Sequence, residues 1–289
     1  MRRLPILVLA AVLAACTANL TDNSSGGGGG AGTGLVDRYT ELSTSLEDAA
    51  ETEVATLTIG RPGLPLGFPA IASCPTASAS GDGDADGIPD DVTYTFANPP
   101  CTTTGFFGGT LSVTGQARIQ DSSQATSGAY TVSLTNLSWQ FTDTAGTLSY
   151  TATRNGKRHR SGNDSTITLQ VADTVIRAKP QITALATLTK QLTWTFTADA
   201  PGAIGASQPL PNGTVTVNGT LRWRRRTEDW PLTVATVTPL VYDASCTTTA
   251  QRFTAGRVTL TGTIAGTPGT LRIDWTQCGK FPTRTFIPS

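Results

Sequence analysis

Histidine is almost missing from this chain, which contains a single one, His159, among its 289 residues. A Ser-His-Asp triad requires a histidine base, and catalytic zinc sites usually include histidine ligands. A net charge is also missing, because 21 Lys and Arg residues balance 21 Asp and Glu residues. Proteins that bind nucleic acids need surplus cations to neutralise phosphates. The composition therefore predicts no nucleic-acid partner and excludes most enzymes that depend on histidine.

Common enzyme motifs are missing as well, because the chain has no GxSxG, HExxH or Walker sequence. Aspartates are scattered through it, among them Asp121, Asp143 and Asp274. Two such carboxylates in one cleft would suit a glycan hydrolase. Aspartate also collects at turns and strand ends, so we expect a protein that is not an enzyme and keep the hydrolase as an alternative.

The apolar run at residues 4–13 is too short to cross a membrane, which takes roughly 20 residues as a helix. It follows Arg2 and Arg3 and leads into the sequence LAAC, which ends at Cys16. A positively charged start, a short apolar core and small residues before a cleavage point are typical of a signal peptide. Residues 1–15 are therefore predicted to be removed.

The LAAC sequence resembles the lipobox of bacterial lipoproteins. The resemblance implies cleavage before Cys16, a lipid on its sulfur and an acylated amino group, which together would anchor the chain to a membrane. Thr17 stands where an aspartate would imply retention in the inner membrane, so we expect a lipid-anchored protein of the outer membrane. An ordinary secretory signal with an incidental cysteine is the alternative.

The segments that follow differ in composition. Residues 16–34 are rich in glycine and serine, which predicts a flexible tether. In residues 35–54 apolar side chains recur at steps of three and four, which predicts an amphipathic helix. Four of the five glutamates of the chain lie in this segment, so its polar face is either solvated or a docking surface.

From residue 55 onward the period of the apolar residues becomes two. Runs such as 110–114, 214–217 and 258–261 alternate threonine or serine with valine or leucine, as strands with one buried face do. We expect about ten to thirteen antiparallel strands. Hairpin turns are predicted at Asn155-Gly156, at residues 211–213 and at residues 267–269.

An internal repeat divides these strands. Cys101 and Cys246 are each followed by three threonines and then by a GTLSVTG-like strand, and LSWQFT at 137–142 matches LTWTFT at 192–197. We therefore predict an all-β fold of antiparallel sheets in two related sandwich-like or barrel-like units, 55–175 and 176–289, preceded by the helix.

Four cysteines remain once Cys16 carries lipid, an even number that suits disulfides outside the cytoplasm. Each predicted unit contains two of them, so the repeat favours the pairs Cys74–Cys101 and Cys246–Cys278. A zinc site of four thiolates is the alternative, although the chain has no CxxC pair.

The segment GDGDADGIPDD, residues 81–91, places carboxylates at alternate positions and a glycine at the turn. Ca²⁺ takes six to eight oxygen ligands, which such spacing can supply. The segment resembles EF-hand loops and, still more, thrombospondin type 3 repeats, although Thr93 stands where a bidentate acid is expected. The resemblance implies a structural calcium site formed by Asp82, Asp84, Asp86, the carbonyl of Ile88, Asp90 and Asp91.

Two basic clusters and several aromatic residues are further binding candidates. RNGKRHR at 154–160 would lie at a hairpin tip, and four arginines at 222–226 flank Trp223. Either cluster could contact lipid phosphates or an acidic polysaccharide, although charged tips and edges also simply prevent aggregation. The aromatic residues alternate with polar ones, which favours core positions over a lipid or glycan pocket: Trp139, Phe141, Trp194, Phe196, Trp223 and Trp275.

The sequence as a whole indicates a lipid-anchored protein of the cell envelope, a structural or binding module stabilised by calcium and disulfides. A carrier of lipids or other hydrophobic ligands is the main alternative. The expected partners are the membrane, reached through Cys16, and a lipid, a polysaccharide or an envelope protein.

Overall fold

The computed structural model describes residues 74–78, 81–84, 88–104, 109–121, 129–146, 148–179, 182–204, 210–225, 227–246 and 253–289. The predicted signal peptide, tether and helix lie outside these residues. Within them, no helix has the length and hydrophobicity needed to span a membrane.

In the described part of the chain, twelve strands form one antiparallel sheet, in which each strand pairs with its neighbours in the chain. The all-β prediction is confirmed, and the number of strands lies within the expected range. The strands are β1 (Thr76–Ala77), β2 (Asp91–Thr104), β3 (Thr110–Asp121), β4 (Tyr130–Thr142), β5 (Leu148–Gly162), β6 (Thr166–Lys179), β7 (Ile182–Ala198), β8 (Gly213–Arg225), β9 (Glu228–Tyr242), β10 (Phe253–Ile264), β11 (Thr267–Trp275) and β12 (Thr283–Pro288).

The strands follow the alternation of the sequence. In β8 the side chains of Val215, Val217, Leu221 and Trp223 are buried, while Thr214 and Thr216, which alternate with the valines, are partly exposed. The other long strands alternate in the same way, so the sheet has one apolar face, which we call the inward face, and one threonine-rich outward face.

Two apolar cores lie on the inward face. The first core is built from β2, β3 and β4 together with Ile88, and the second from β6 to β11. The boundary predicted between the two units, at residue 175, falls inside β6, which pairs with β5 on one side and β7 on the other. The division into two related units stays a prediction.

The hairpin predicted at Asn155-Gly156 is wrong. Both residues lie in the middle of β5, where Asn155 pairs with Thr174 and Gly156 pairs with Asp173. Asn-Gly is a local turn signal, but here the ladder with β6 continues through it, and the ladder with β4 resumes after a bulge at Asn155. The basic residues 157–160 therefore belong to a central strand and not to a hairpin tip.

The other two predicted turns differ in outcome. Residues 211 and 212 end the long connection between β7 and β8, and Gly213 is already the first residue of β8, so they do not form a tight turn by themselves. Residues 267–269 instead begin β11, and the turn lies just before them at Ala265 and Gly266, whose φ angles are 52° and 82°. Positive φ at both central residues is the pattern of a two-residue hairpin, which glycine accommodates readily.

In each half of the sheet, a GTLSVTG-like strand pairs with an LSWQFT-like strand. Leu111, in GTLSVTG at 109–115, lies opposite Phe141, and Val215, in the related sequence GTVTVNG at 213–219, lies opposite Phe196. A Cβ atom added to Gly213 would lie 2.6 Å from Cζ of Phe196 and 2.4 Å from the carbonyl oxygen of Thr197. Glycine is required there because the phenylalanine ring lies across its backbone.

The cysteines pair as the repeat suggested. Cys74 and Cys101 form one disulfide, with Cα atoms 5.6 Å apart, and Cys246 and Cys278 form the other, with Cα atoms 6.0 Å apart. Both separations are typical of disulfides. The first ties the chain before β1 to β2, and the second ties the loop after β9 to the loop after β11.

Candidate functional site

Strand β5 separates the two apolar cores and differs from its neighbours on the inward face. Its inward positions include Ala152, Arg154, Gly156 and Arg158, so alanine is the only apolar side chain among these four. Arg154 and Arg158 are both buried. A strip of cations therefore runs between the two apolar cores.

Two more buried charges lie beside this strip. Asp173 on β6 is opposite Gly156 on one side and opposite Lys190 on β7 on the other. Both Asp173 and Lys190 are 3% exposed. We call Arg154, Arg158, Asp173 and Lys190 the ion cluster.

Asp173 is the centre of the ion cluster. Its Oδ2 accepts a hydrogen bond from Nε of Arg154 at 2.7 Å and lies 2.6 Å from Nη2 of the same residue. Nη2 of Arg158 is 3.5 Å from Oδ2, and Nζ of Lys190 is 3.3 Å from Oδ1. One carboxylate thus faces three cations.

Gly156 makes room for this carboxylate. A Cβ atom on Gly156 would lie 2.4 Å from Cα and 2.5 Å from Cβ of Asp173. Its φ of 148° is also unfavourable for residues with a side chain. The glycine that marked a turn in the sequence therefore serves the packing of the ion cluster.

The ion cluster fixes the charge of its carboxylate. Burial alone would raise the pKa of Asp173, but the charges of Arg154, Lys190 and Arg158 outweigh it and hold that pKa well below its usual range. Asp173 is therefore ionised at every physiological pH, and the ion cluster is a permanent feature rather than a switch near neutrality.

The sequence analysis missed Asp173 and Lys190, although a signal was present. Asp173 lies two residues from Val171 and Val175, and Lys190 lies two residues from Leu188 and Leu192. The period of two therefore places both charges on the apolar face. Charges at core positions are rare unless they are paired.

The predicted calcium loop is partly described. The N–H of Asp90 donates to the carbonyl of Gly81 at 2.8 Å, and Oδ1 of Asp90 accepts from the N–H of Gly83 at 3.0 Å. These bonds bring the two ends of the loop together, while Asp82 and Asp84 are exposed. The described part of the loop does not by itself gather three carboxylates, and Asp86 lies outside it.

Two of the predicted calcium ligands, Asp91 and Ile88, contact the sheet. Asp91 begins β2 and forms a two-bond ion pair with Arg118 on β3, one bond of which measures 2.8 Å. The hydrogen bonds from Arg118 lower the pKa of Asp91. Ile88 is buried in the first apolar core, which anchors the loop to the sheet.

The second basic cluster belongs to an ion pair on the outward face. Arg222 donates to Asp229 on β9, one bond measuring 2.7 Å, and Nε of Arg224 is 3.4 Å from the same carboxylate. The bonds from Arg222 lower the pKa of Asp229 to about 2. Trp223 points the other way and is buried, whereas Arg226 lies outside the described residues.

The aromatic residues mainly occupy the core, as the alternation favoured. Trp194, Phe196, Trp223 and Trp275 belong to the second core. The ring centroids of Trp223 and Trp230 are 4.3 Å apart. Trp139 packs partly buried against the first core, and Phe141 is also partly buried.

The residues considered for catalysis are spread over the sheet. Asp121 ends β3, Asp143 follows β4, and Asp274 on β11 pairs with Arg257 at 2.5 Å and with Arg272 at 2.7 Å. Nδ1 of His159 lies 3.0 Å from the hydroxyl of Thr131 on the neighbouring strand. Asp121 lies opposite Tyr130 at the start of β4 and Asp143 follows the end of β4, so these two carboxylates lie at opposite ends of that strand.

Comparison with protein-family models, with curated protein sequences and with solved structures finds no match to this chain.

Proposed function

We propose that the protein is a lipid-anchored lipoprotein of the bacterial outer membrane, whose sheet is a structural or binding module and not an enzyme. The cysteines carry this proposal. Four of the five pair as Cys74–Cys101 and Cys246–Cys278, and the remaining one is Cys16, at the end of the LAAC sequence.

The two disulfides support a location outside the cytoplasm, because cytosolic thiols are kept reduced. The remaining cysteine supports lipidation, because an exposed free thiol is reactive and would be a liability in an oxidising compartment. The scarcity of histidine supports a protein that is not an enzyme, because histidine is the most frequent general acid or base in enzymes and a common metal ligand.

A structural calcium ion in the loop 81–91 is part of the proposal. The bonds between Asp90 and the Gly81–Gly83 backbone support it, since they fold the acidic segment back on itself. Asp82, Asp84, Asp86, Ile88 and Asp90 would then supply oxygen ligands, with Asp91 shared with Arg118 or replaced by water. The ion would neutralise aspartates that otherwise repel each other.

Membrane fractionation tests the anchor. The full chain and its Cys16→Ser variant are expressed in a diderm bacterium, and membranes are separated from soluble protein and then into inner and outer membranes. The wild type is expected in the outer membrane and the variant outside it. Wild type and variant in the same soluble fraction would refute the anchor.

A further inference from the structure

The ladder between β6 and β7 contains an irregularity at the end where the two strands are connected. Its long regular part ends with Ala178 opposite Leu185, and the pair closest to the connection is Lys179 opposite Ile182. Between these two pairs β6 moves on by one residue and β7 by three, so β7 has two extra residues at this point. The irregularity therefore shifts the rest of the ladder by two residues from the register that the last pair would continue.

Two registers of β6 and β7 can thus be compared, the observed one and one that continues from the pair Lys179–Ile182 without the extra residues. We call the second the continuous register. A shift of two residues keeps every side chain on its own face, because the side-chain period of a strand is two. Thr168, for example, lies opposite Thr195 in the observed register and would lie opposite Thr193 in the continuous one. The alternation of threonine with apolar residues therefore does not distinguish the two registers.

The buried charges of the ion cluster do distinguish them. In the observed register Asp173 lies opposite Lys190, and Nζ of Lys190 is 3.3 Å from Oδ1 of Asp173. In the continuous register Asp173 would lie opposite Leu188. Lys190 would lie opposite Val171 and diagonal to Asp173, with Cα atoms about 7–8 Å apart instead of about 4.5–5.5 Å. Each of the two buried charges would then face an aliphatic side chain, which is unfavourable.

The contacts of Asp173 with β5 do not depend on this choice. Arg154 and Arg158 lie on the other side of β6 from Lys190, and the ladder between β5 and β6 is the same in both registers. Lys190 is therefore the member of the ion cluster that depends on how β6 pairs with β7. A hydrogen bond that involves a charged group contributes enough free energy to shift an equilibrium about 10–100-fold.

We infer that the pair Asp173–Lys190 selects the observed register of β6 and β7 over the continuous register. Strands β8 to β12 follow β7 in the sheet, so this choice sets the position of the second core relative to the first. A shift of two residues corresponds to about 7 Å along the strands. The ion pair thus specifies one alignment of the two halves, which the repetitive pattern of the strands leaves open.

Disulfide trapping on the outward face measures the register. Thr174 lies opposite Thr189 in the observed register, with hydroxyl oxygens 3.3 Å apart, and would lie opposite Thr187 in the continuous one. Thr174→Cys is combined with Thr189→Cys or with Thr187→Cys in the full mature chain carrying Cys16→Ser. Cysteines opposite each other form a disulfide, whereas those with Cα atoms more than about 7 Å apart do not without backbone movement. After refolding in a redox buffer, mass spectrometry of the bridged peptides measures the yield of each bridge.

Two variants change the preference, and a third is the control. Lys190→Met makes this inward position apolar, so the yield of the continuous-register bridge is expected to rise at least about tenfold over wild type. Leu188→Lys combined with Lys190→Leu places the lysine opposite Asp173 in the continuous register, so the bridge of that register is expected to predominate. Arg224→Met removes a cation on the outward face, where that side chain is 51% exposed, and is expected to leave the wild-type yields unchanged.

The yields separate the ion pair from the rest of the sheet. Equal yields of both bridges in wild type would overturn the inference, because the register would then not be fixed. A Lys190→Met protein that forms the observed-register bridge as selectively as wild type would also overturn it, because the connection or the packing of the cores would then set the register. If the variant with the exchanged lysine does not fold, the yields from Lys190→Met decide the question.

Discussion

Replacing Asp173 by asparagine is expected to destabilise the protein severely. Asparagine keeps the shape of the side chain and one acceptor oxygen, so packing is preserved and only the charge is removed. Arg154, Arg158 and Lys190 then remain buried without the carboxylate that they share. Breaking a buried ion pair by removing one partner costs about 3–5 kcal/mol.

In a domain of this size about 1 kcal/mol corresponds to roughly 2–4 °C in melting temperature, so the expected loss is about 6–20 °C. Asp229→Asn is the matched control, because Asp229 also pairs with two arginines but its side chain is 40% exposed. Its melting temperature should change much less. Circular dichroism melts of both variants at pH 7 make the comparison.

The pH dependence gives a second check with a defined sign. The pKa of Asp173 is lower in the folded than in the unfolded state, where it is about 3.8, so its contribution is complete above that value. The contribution is lost only as the pH falls through the lower, folded-state pKa. The difference between wild type and Asp173→Asn should therefore be constant from pH 5 to 8 and shrink below about pH 4.

Removing one cation should repair part of the damage. With Asp173→Asn in place, Lys190→Met leaves one charge fewer to compensate, so the double variant should melt above the single one. Equal, small losses for Asp173→Asn and Asp229→Asn would contradict the reasoning, because burial would then make no difference to the two pairs.

Three further changes test other parts of the fold and site. Gly213→Ala should cost about 1–3 kcal/mol in urea unfolding, because the added methyl group meets Phe196, whereas Gly266→Ala, with no atom within 4 Å, should show only the smaller cost of its positive φ. Changing Cys246 and Cys278 together to alanine should lower the unfolding free energy by about 3–4 kcal/mol, given their separation of 32 residues; an unchanged midpoint would mean that the bridge is absent. Calcium at tenfold above its dissociation constant should stabilise the mature chain by about 1.4 kcal/mol, and Asp84→Ala should abolish that gain; a melt that ignores millimolar calcium would reject the loop as a site.

The sequence predicted the strands and the disulfides well because both depend on simple regularities. Alternation of valine and threonine fixes which face is buried, and the matching contexts of Cys101 and Cys246 indicated which cysteines pair. Both regularities remain informative about the folded chain because each strand pairs with its neighbours in the chain.

The prediction failed where a local signal competed with the sheet. Asn155-Gly156 has the composition of a hairpin turn, but its glycine instead accommodates Asp173 on the neighbouring strand. The requirement for that glycine comes from Asp173, 17 positions along the chain. Only the register between β5 and β6 shows that the two residues lie opposite each other. That Asp173 and Lys190 are buried could be predicted, because each lies two positions from valines or leucines on the apolar face. Their contacts with Arg154 and Arg158 could not be predicted from the sequence.

Intact-mass spectrometry of the protein purified from membranes tests the proposal most directly. The expected mass is that of a chain beginning at Cys16, increased by covalently attached acyl groups, with the other four cysteines unreactive toward a thiol reagent before reduction. A chain that begins at Met1, carries no acyl group and offers free thiols would contradict the proposed anchor and compartment together.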